Sequence, residues 1–592
     1  MKNRISGYGE LDLKEEYDYD DVGNLISYLP PRAFESGGVD TNFQTFHSVN
    51  ELNQTWLTLG PELSEFANGD RSEVYRFFDL NFNMTQSFRE YVNVSGTEPG
   101  TPADPNDPNS FIALKSSNPM DPTWAETQVE YNLLNYPVAR TVDSVATGMS
   151  IETLTYRTEY DKNYNAVESI SPLGNRSRTI YDERDLVFQS IAGADSDVAA
   201  VYESDYDLNG NLALSRDALG NESSYLYDGF DRTIRVTDSA GHYSTTAYDQ
   251  NSNVIHSASF NSADVLLAES FASYDEIDRN FQSDTTALDH KGNPIGDGLS
   301  TNVTLFDKNS RVTHAYNDNF VFNFNFYDAV NRVTGSQDNV GNQMVYTYDA
   351  NSNVTMTEIR EINRLTGVVE ISHAEADFDF LDRRLRSRDT RHEDGVFSTE
   401  TEVFYDGWSR VILANDALDT QSFHEYDLIS RSVRTTRTPD VFDPSTWVIT
   451  ENHYDDDSRV VLRRIAEDGN AMSEWQETTY TYDERDRAFE TRRADGDLWT
   501  VEFDAQSNVI GMTNPIGTKI TNTYDSRNLI EYRNIERGVA GDDPTERRLA
   551  IGRVGLVPRV GKGVRLAKTA GVGVLEDSER GQVGIELDDQ PG

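Results

Sequence analysis

A chain of 592 residues with 30 Tyr and 27 Phe is long enough to bury a large core or to build an extended array, and too aromatic for a disordered polar chain. Its net charge of −49, from 101 acidic and 52 basic residues, excludes nucleic acid as a partner of the body, because phosphate repels such a surface. The absence of cysteine excludes disulfides and thiolate metal sites, and no run of about 18 apolar residues is present to cross a membrane as a helix. The N-terminal stretch MKNRISGYGELDLKEEYDYDD has no apolar segment after its basic residues, so no classical secretory signal is expected. Residues 1–150 hold scattered copies of one short pattern, Tyr19-Asp20 with Gly23-Asn24, Phe78-Asp79 with Asn83, and Tyr131-Asn132. Between them, residues 98–123 carry prolines at 99, 102, 105, 108, 119 and 122, which predicts a loop or insertion, since proline removes ladder donors.

From Tyr160 the pattern becomes regular. An aromatic residue followed by Asp recurs at 160, 181, 206, 227, 248, 274, 306, 327, 348, 378, 405, 426, 454, 482, 503 and 524; eight of the intervals are 21 residues and none is shorter. A fixed unit with occasional loop insertions produces that distribution. The stretch 206–253 shows the unit best: Tyr206-Asp207, Tyr227-Asp228 and Tyr248-Asp249, with Asn211, Arg232 and Asn253 four residues after each Asp, and Gly220 and Gly241 seven residues before the next Tyr. The same signature returns as Tyr327-Asp328 with Arg332, as Gly341 before Tyr348-Asp349, and as Tyr524-Asp525. A period in the range of 20 to 50 residues is the mark of an array architecture. Runs such as RVTHAY, RVTGSQD and NVTMTEI between the markers alternate apolar with polar residues and favour strands of about five residues. With turns at Tyr-Asp-x-x-Gly/Ser and at Asp-x-x-Gly, each unit is a β-hairpin. Glycine supplies a positive φ at the second turn. The Asp after Tyr is expected to bond turn N–H groups or to pair with the Arg four residues on, and the Tyr ring to pack on the neighbouring unit. No hairpin of this size buries a face alone, so stability has to come from stacked neighbours. The fold class is therefore all-β: a repetitive antiparallel β-hairpin array that forms a continuous ribbon. Its organisation is a divergent segment 1–150, a regular array 151–538 and a tail 539–592.

The strings YDLNGNL, DALGNESSYLYDGFDR and DNVGNQMVYTYDANSNV resemble the YD-repeat, or Rhs-repeat, proteins, which include the Rhs polymorphic toxins, the B and C components of toxin complexes, and the teneurins. The resemblance covers residues 150–538 and reaches back in scattered copies to residue 17. It implies that the array is wound into a curved ribbon or a partial or hollow β-shell or barrel, which encloses a C-terminal effector or presents a surface for adhesion or sugar binding. Export by a specialised route to the cell surface or medium is implied with it. Possible partners are then an effector polypeptide, a cell-surface protein or a glycan. Toxin members end the shell with a DPxGL-type autoproteolytic segment; the nearest string here, NPIGTK at Asn514–Lys519, has Asn where Asp is needed and receives no protease role. The tail is short and aromatic-poor for an effector enzyme, so truncation or a frame change after about residue 538 is the expectation, with a small divergent tip or a basic interaction segment as alternatives.

Chemical sites are not legible. Asp205–Gly210 opens like a calcium loop, but Arg216 stands where a bidentate Glu is required, and the repeat accounts for the residues. The nine histidines, among them His242, His314 and His424, show no metal spacing, and no Gly-x-Ser-x-Gly elbow or phosphate loop is present. Gly561-Lys562-Gly563 sits in the tail without strand-to-helix context, and the basic run 547–568 contains helix-breaking Gly and Pro. The expectation is a non-enzymatic repeat scaffold without cofactor or metal, acting as container, carrier or surface-presented protein. Alternatives are a carbohydrate-binding surface protein and a truncated Rhs-type toxin lacking its protease motif and effector.

Overall fold

The computed structural model describes residues 2–6, 13–62, 71–91, 103–112, 123–145, 151–288, 294–318, 321–392, 396–469, 474–536 and 548–551. The chain divides into Met1–Arg553 and Val554–Gly592. The second unit, with Gly561-Lys562-Gly563 and most of the basic run 547–568, lies outside the described residues.

Each strand pairs antiparallel with the next along the chain, from Lys2–Ser6 against Leu13–Tyr19 to Ile530–Glu536 against Arg548–Ile551. Among the described residues those first and last strands have no second pairing, so the described ladder has two open ends and does not close into a barrel. Regular units have strands of five to seven residues, as in Leu212–Arg216, Glu222–Tyr227 and Val254–Phe260. Where the spacing between Tyr-Asp pairs stretches, some insertions lengthen a hairpin, as in Asn280–Leu288 with the 13-residue strand Pro294–Phe306, and others form a loop, as at the short turn Pro444–Thr446.

The sheet is mostly a single layer. Strands alternate half-buried and exposed residues, as in Glu222–Tyr227, instead of hiding one face completely. Fully buried apolar side chains concentrate in the divergent segment and along one edge. The largest cluster joins Tyr75, Phe88 and Trp124 from the sheet to Phe111, with Trp56, Leu57 and Phe77 packed against it. Phe111 sits on a short helix, Pro108–Ile112, inside the proline-rich insertion. Its ring stacks on Phe88 at 4.8 Å and meets Trp124 edge-on at 5.0 Å. Among the described residues of the insertion, Phe111 anchors it to the sheet, a contact that its proline content does not reveal.

The ribbon winds. Residues separated by 282 to 347 positions in sequence touch along an edge. Arg32 meets Asp379, Glu90 meets Trp408, Ser144 meets Arg431, Ser171 meets Asp457, and Ser239 meets Ser526. Both members of these pairs advance together along the chain. A sheet folded back on itself would reverse that order, so the later stretch lies beside the earlier one as a second winding of a spiral.

Candidate functional site

The repeated site is the Tyr-Asp turn, and Asp228 illustrates it. Its N–H donates to the Arg232 carbonyl at 3.0 Å, and the Asp231 N–H donates back to the Asp228 carbonyl at 3.1 Å. One carboxylate oxygen of Asp228 accepts the backbone N–H groups of Phe230 and Arg232 at 2.9 and 3.1 Å, while the other accepts Arg232 Nε at 2.7 Å. The two roles expected as alternatives are filled together, one by each oxygen. The Asp228 carboxyl is held below the usual carboxylate range, chiefly by the Arg232 side chain. A register shift at Leu226/Tyr227 marks a bulge beside the turn. The fourth turn residue carries positive φ without being glycine, as at Asp231 (59°), Ser252 (71°) and Asn331 (71°), the left-handed region in which Asp and Asn are enriched.

The Asp-x-x-Gly turn at the other end of each hairpin has the same internal bonding. Asp217 accepts the N–H groups of Leu219 and Asn221, both at 2.9 Å, and Gly220 takes φ +82°. Gly241 and Gly341 occupy equivalent positions at +79° and +100°. What distinguishes the two turns is the tyrosine. Tyr206, Tyr227, Tyr248, Tyr327, Tyr348 and Tyr524 donate their hydroxyls to the carbonyls of Val187, Leu212, Thr233, Val312, Val333 and Val509 in the preceding hairpin, at 2.6 to 2.9 Å. The ring is covered from the same side. Arg232 lies 4.6 Å from the Tyr248 centroid and also donates to the Asp249 carbonyl at 3.0 Å and Ser252 Oγ at 3.2 Å. Arg332 repeats all three contacts on Tyr348, Asp349 and Ser352.

Neighbouring turns are matched in residue type, a relation that sequence reading missed. Where the fifth turn residue is Asn, the next turn presents Asp or Asn at its positive-φ position. The pairs are Asn165–Asp185, Asn211–Asp231, Asn253–Asp278, Asn353–Asp382 and Asn508–Asn528, at 2.7 to 3.1 Å. A second amide from Asn209 or Asn251 grips the same Asp oxygen. Where the fifth residue is Arg, the next turn presents Ser or Asn, as in Arg279–Ser310, Arg311–Asn331 and Arg383–Ser409, with Arg459–Asp486 as an ion pair. Tyr136 stacks on Tyr164 at 5.1 Å and 4°, and Leu186 Cδ1 stands 3.7 Å from where a side chain on Gly210 would begin. The signal was available by reading each fifth residue against the fourth residue of the following turn.

The seam between windings joins different ends of the hairpins: Tyr-Asp turns of the second winding meet the opposite edge of the first. Arg32 donates to the carbonyls of Phe378 and Asp379, both at 2.6 Å, and accompanies Asp349 and Asp382 at 3.4 and 3.5 Å. Trp408 bonds the Glu90 carbonyl, lies under Arg89 at 4.5 Å, and packs with Leu428 against Ala125. At residues 171–175 the turn has Ser where Asp normally caps it. The missing carboxylate comes from Asp457 of the other winding, which accepts Leu173 N, Ser171 Oγ and Asn175 Nδ2 at 3.1, 2.9 and 2.7 Å. Gly193 has no room for a side chain, because Arg485 Cγ would stand 2.8 Å from it. Arg527 of the Tyr524-Asp525 turn reaches His242 beside Gly241 at 3.1 Å. Burial follows the seam: the Asp228 side chain on the first winding is 20% exposed, whereas that of Asp427 on the second is fully covered.

A cleft of about 730 Å³ opens where the seam begins, lined by Tyr28, Phe43, Arg332, Asn351, Phe380 and Asp382 among others. Among the described residues no group of three His, Cys, Asp or Glu is placed to hold a metal ion. His424 is kept below its ordinary value by burial.

Fold and turn network together define an antiparallel β-hairpin repeat protein whose unit is the Tyr-Asp turn. Residues 206–243 match the family model of the RHS repeat, so that stretch of the array is an RHS repeat of the YD type. No curated protein matches by sequence. Among solved structures, the chain is similar to the TcdB2-TccC3-TEV crystal structure, with 12% identity and a TM-score of 0.33 over 82% of this chain and 31% of that one. The Photorhabdus luminescens Tc holotoxin pore gives 11% identity and the same TM-score over 90% and 38%. The chain thus spans about a third of the length of the structures it matches.

Proposed function

We propose that this chain is a non-enzymatic scaffold, a wall of RHS repeats that encloses or carries an effector polypeptide. The observation that carries this reading is the seam. A ribbon used only for display needs no bonds between windings, whereas a wall must close the gap from one winding to the next. The signature residues Tyr206, Asp207, Tyr227, Asp228, Arg232, Tyr248, Asp249, Tyr327, Asp328, Arg332, Tyr348, Asp349, Tyr524 and Asp525 act as structural punctuation of that wall, with Gly220, Gly241 and Gly341 at its other edge. Their carboxylates are engaged within their own turns and their tyrosines by neighbouring hairpins, which leaves them unsuited to acid–base or nucleophilic work. A carbohydrate-binding surface is the second reading, favoured by the exposed ring of Phe230.

The test is protection. A protease-sensitive reporter polypeptide fused after Gly592 in the full chain is expected to be cleaved at least tenfold more slowly than the same reporter free in solution. The seam variant Trp408→Ala should restore fast cleavage. Equal cleavage rates for fused and free reporter would refute the enclosing wall.

A further inference from the structure

Among the described residues the seam uses one edge of each winding and leaves the complementary edges without such contacts. On the second winding, the two residues that follow the turn Asp face the first winding: Trp408 and Leu428 pack on Ala125, and Asp457, Arg485 and Arg527 bond across. On the first winding, the same positions are open. Leu208 is 100% and Phe230 81% exposed on adjacent turns, and Leu80 and Leu133 are exposed earlier on the same edge, beyond the polar tips Lys162-Asn163 and Glu183-Arg184, against 3% for Leu428 in the seam. The Asp-x-x-Gly edge behaves likewise. Leu219, in the seam, is 47% exposed, while Leu418 and Phe442 on the second winding are 84% and 95% exposed. Each edge thus carries a small exposed apolar patch on two adjacent turns, Leu208 with Phe230 and Leu418 with Phe442, and such patches are candidate interaction sites.

We propose that these two edges dock on each other between copies of this chain, so that the first-winding Tyr-Asp edge of one molecule seats on the second-winding Asp-x-x-Gly edge of the next. The occupant is set by the chain's own seam, in which the same two kinds of edge already fit with apolar tips, capping carboxylates and arginines in place. The contact is heterologous: two different surfaces meet, each molecule keeps one of each free, and a head-to-tail stack results. Each copy carries a net charge of −49, so the contact works against repulsion that salt screens. Association should therefore strengthen as salt is raised, opposite to an interface held by complementary charge.

Sedimentation equilibrium of the full chain tests this. The average mass is expected to rise above 66.7 kDa with protein concentration, more so at high than at low salt. Leu208→Asp with Phe230→Asp blocks one edge; Leu418→Asp with Phe442→Asp blocks the other. These side chains are exposed, so circular dichroism should be unchanged. Each double variant alone should stay monomeric, with association weakened at least tenfold, because every head-to-tail contact needs one edge of each kind. Mixed in equal amounts, the two should form a dimer and grow no further, since each supplies the edge the other lacks. A wild type that stays monomeric at every concentration and salt, a double variant that associates alone as wild type does, or a mixture that gives no dimer would overturn the proposal.

Discussion

A single carboxylate organises each turn, and its worth depends on where the winding places it. Asp228 and Asp427 make the same bonds to the same turn atoms and to an Arg four residues on. Asp427 does so with no exposed side chain, and its partner Arg431 also donates to Ser144 across the seam. Removing one partner of a covered ion pair leaves the other charge without compensation. Asp427→Ala is therefore expected to cost about 3 to 5 kcal/mol in denaturant unfolding, and Asp228→Ala clearly less. Acid should act on the turns collectively. Side-chain donors hold Asp228, Asp249 and Asp275 below their ordinary value. Folding thus lowers these pKa values, and the stability they contribute is fully present above the ordinary carboxylate range and lost as pH falls through the folded values. His424 and His47, kept neutral by burial, lose stability as pH falls through and below the ordinary histidine value. Glu425 opposes the trend, since burial raises its pKa and protonation favours its folded form. The melting temperature should fall modestly below about pH 6.5 and steeply below about pH 4, as measured by calorimetry.

At the scale of the hairpin, what matters is agreement between one turn and the next. Asn211 with Asn209 holds Asp231, whereas Arg232 in the following turn holds Ser252. Asp231→Asn keeps an acceptor and tolerates the left-handed backbone, as Asn331 and Asn528 do, so it should be nearly neutral. Asp231→Ser strands two amides and should cost about 0.5–1.5 kcal/mol. Adding Asn211→Arg recreates the Arg–Ser pair and should recover most of the loss, a coupling that a double-mutant cycle in urea measures. Equal loss in the single and double variants would reduce the matching to coincidence. The hairpins themselves were legible, because a 21-residue interval with Tyr, Asp and Gly at set places encodes turns locally. The matching was not, since it links residues in different units, and reading one unit at a time hides it.

For the whole molecule, the all-β array was readable from the repeat, and the spiral was not. Nothing in a local pattern says that Asp457 will cap the turn at Ser171, although a turn of the Asp-x-x-Gly type with Ser in place of Asp is, in hindsight, a vacancy. The apolar turn tips gave no warning either: Leu208 and Leu428 occupy the same place in the motif, directly after the turn Asp, yet one is open and the other covered. Position in the winding, not residue type, decides between them. Trp408 is where the seam should be most sensitive. Trp408→Ala is expected to cost about 3 to 5 kcal/mol and to raise hydrogen exchange on both sides of the seam, near Glu90 and at Asp427–Arg431, while leaving Asp228–Arg232 as protected as before. A uniform loss of protection would mean that the windings do not act as separable layers.

The borrowed cap at Ser171 also imposes an order in time. Asp457 is made 286 residues after the serine it bonds. At translation rates of about 5–20 residues per second, the turn at residues 171–175 waits roughly 15 to 60 seconds for its carboxylate. During that interval the first winding has its own hairpin ladder but an unfinished edge, which the arriving chain then covers turn by turn. The nascent protein is built as masonry is, each course laid on a lower one whose upper joints stay open until the next is set.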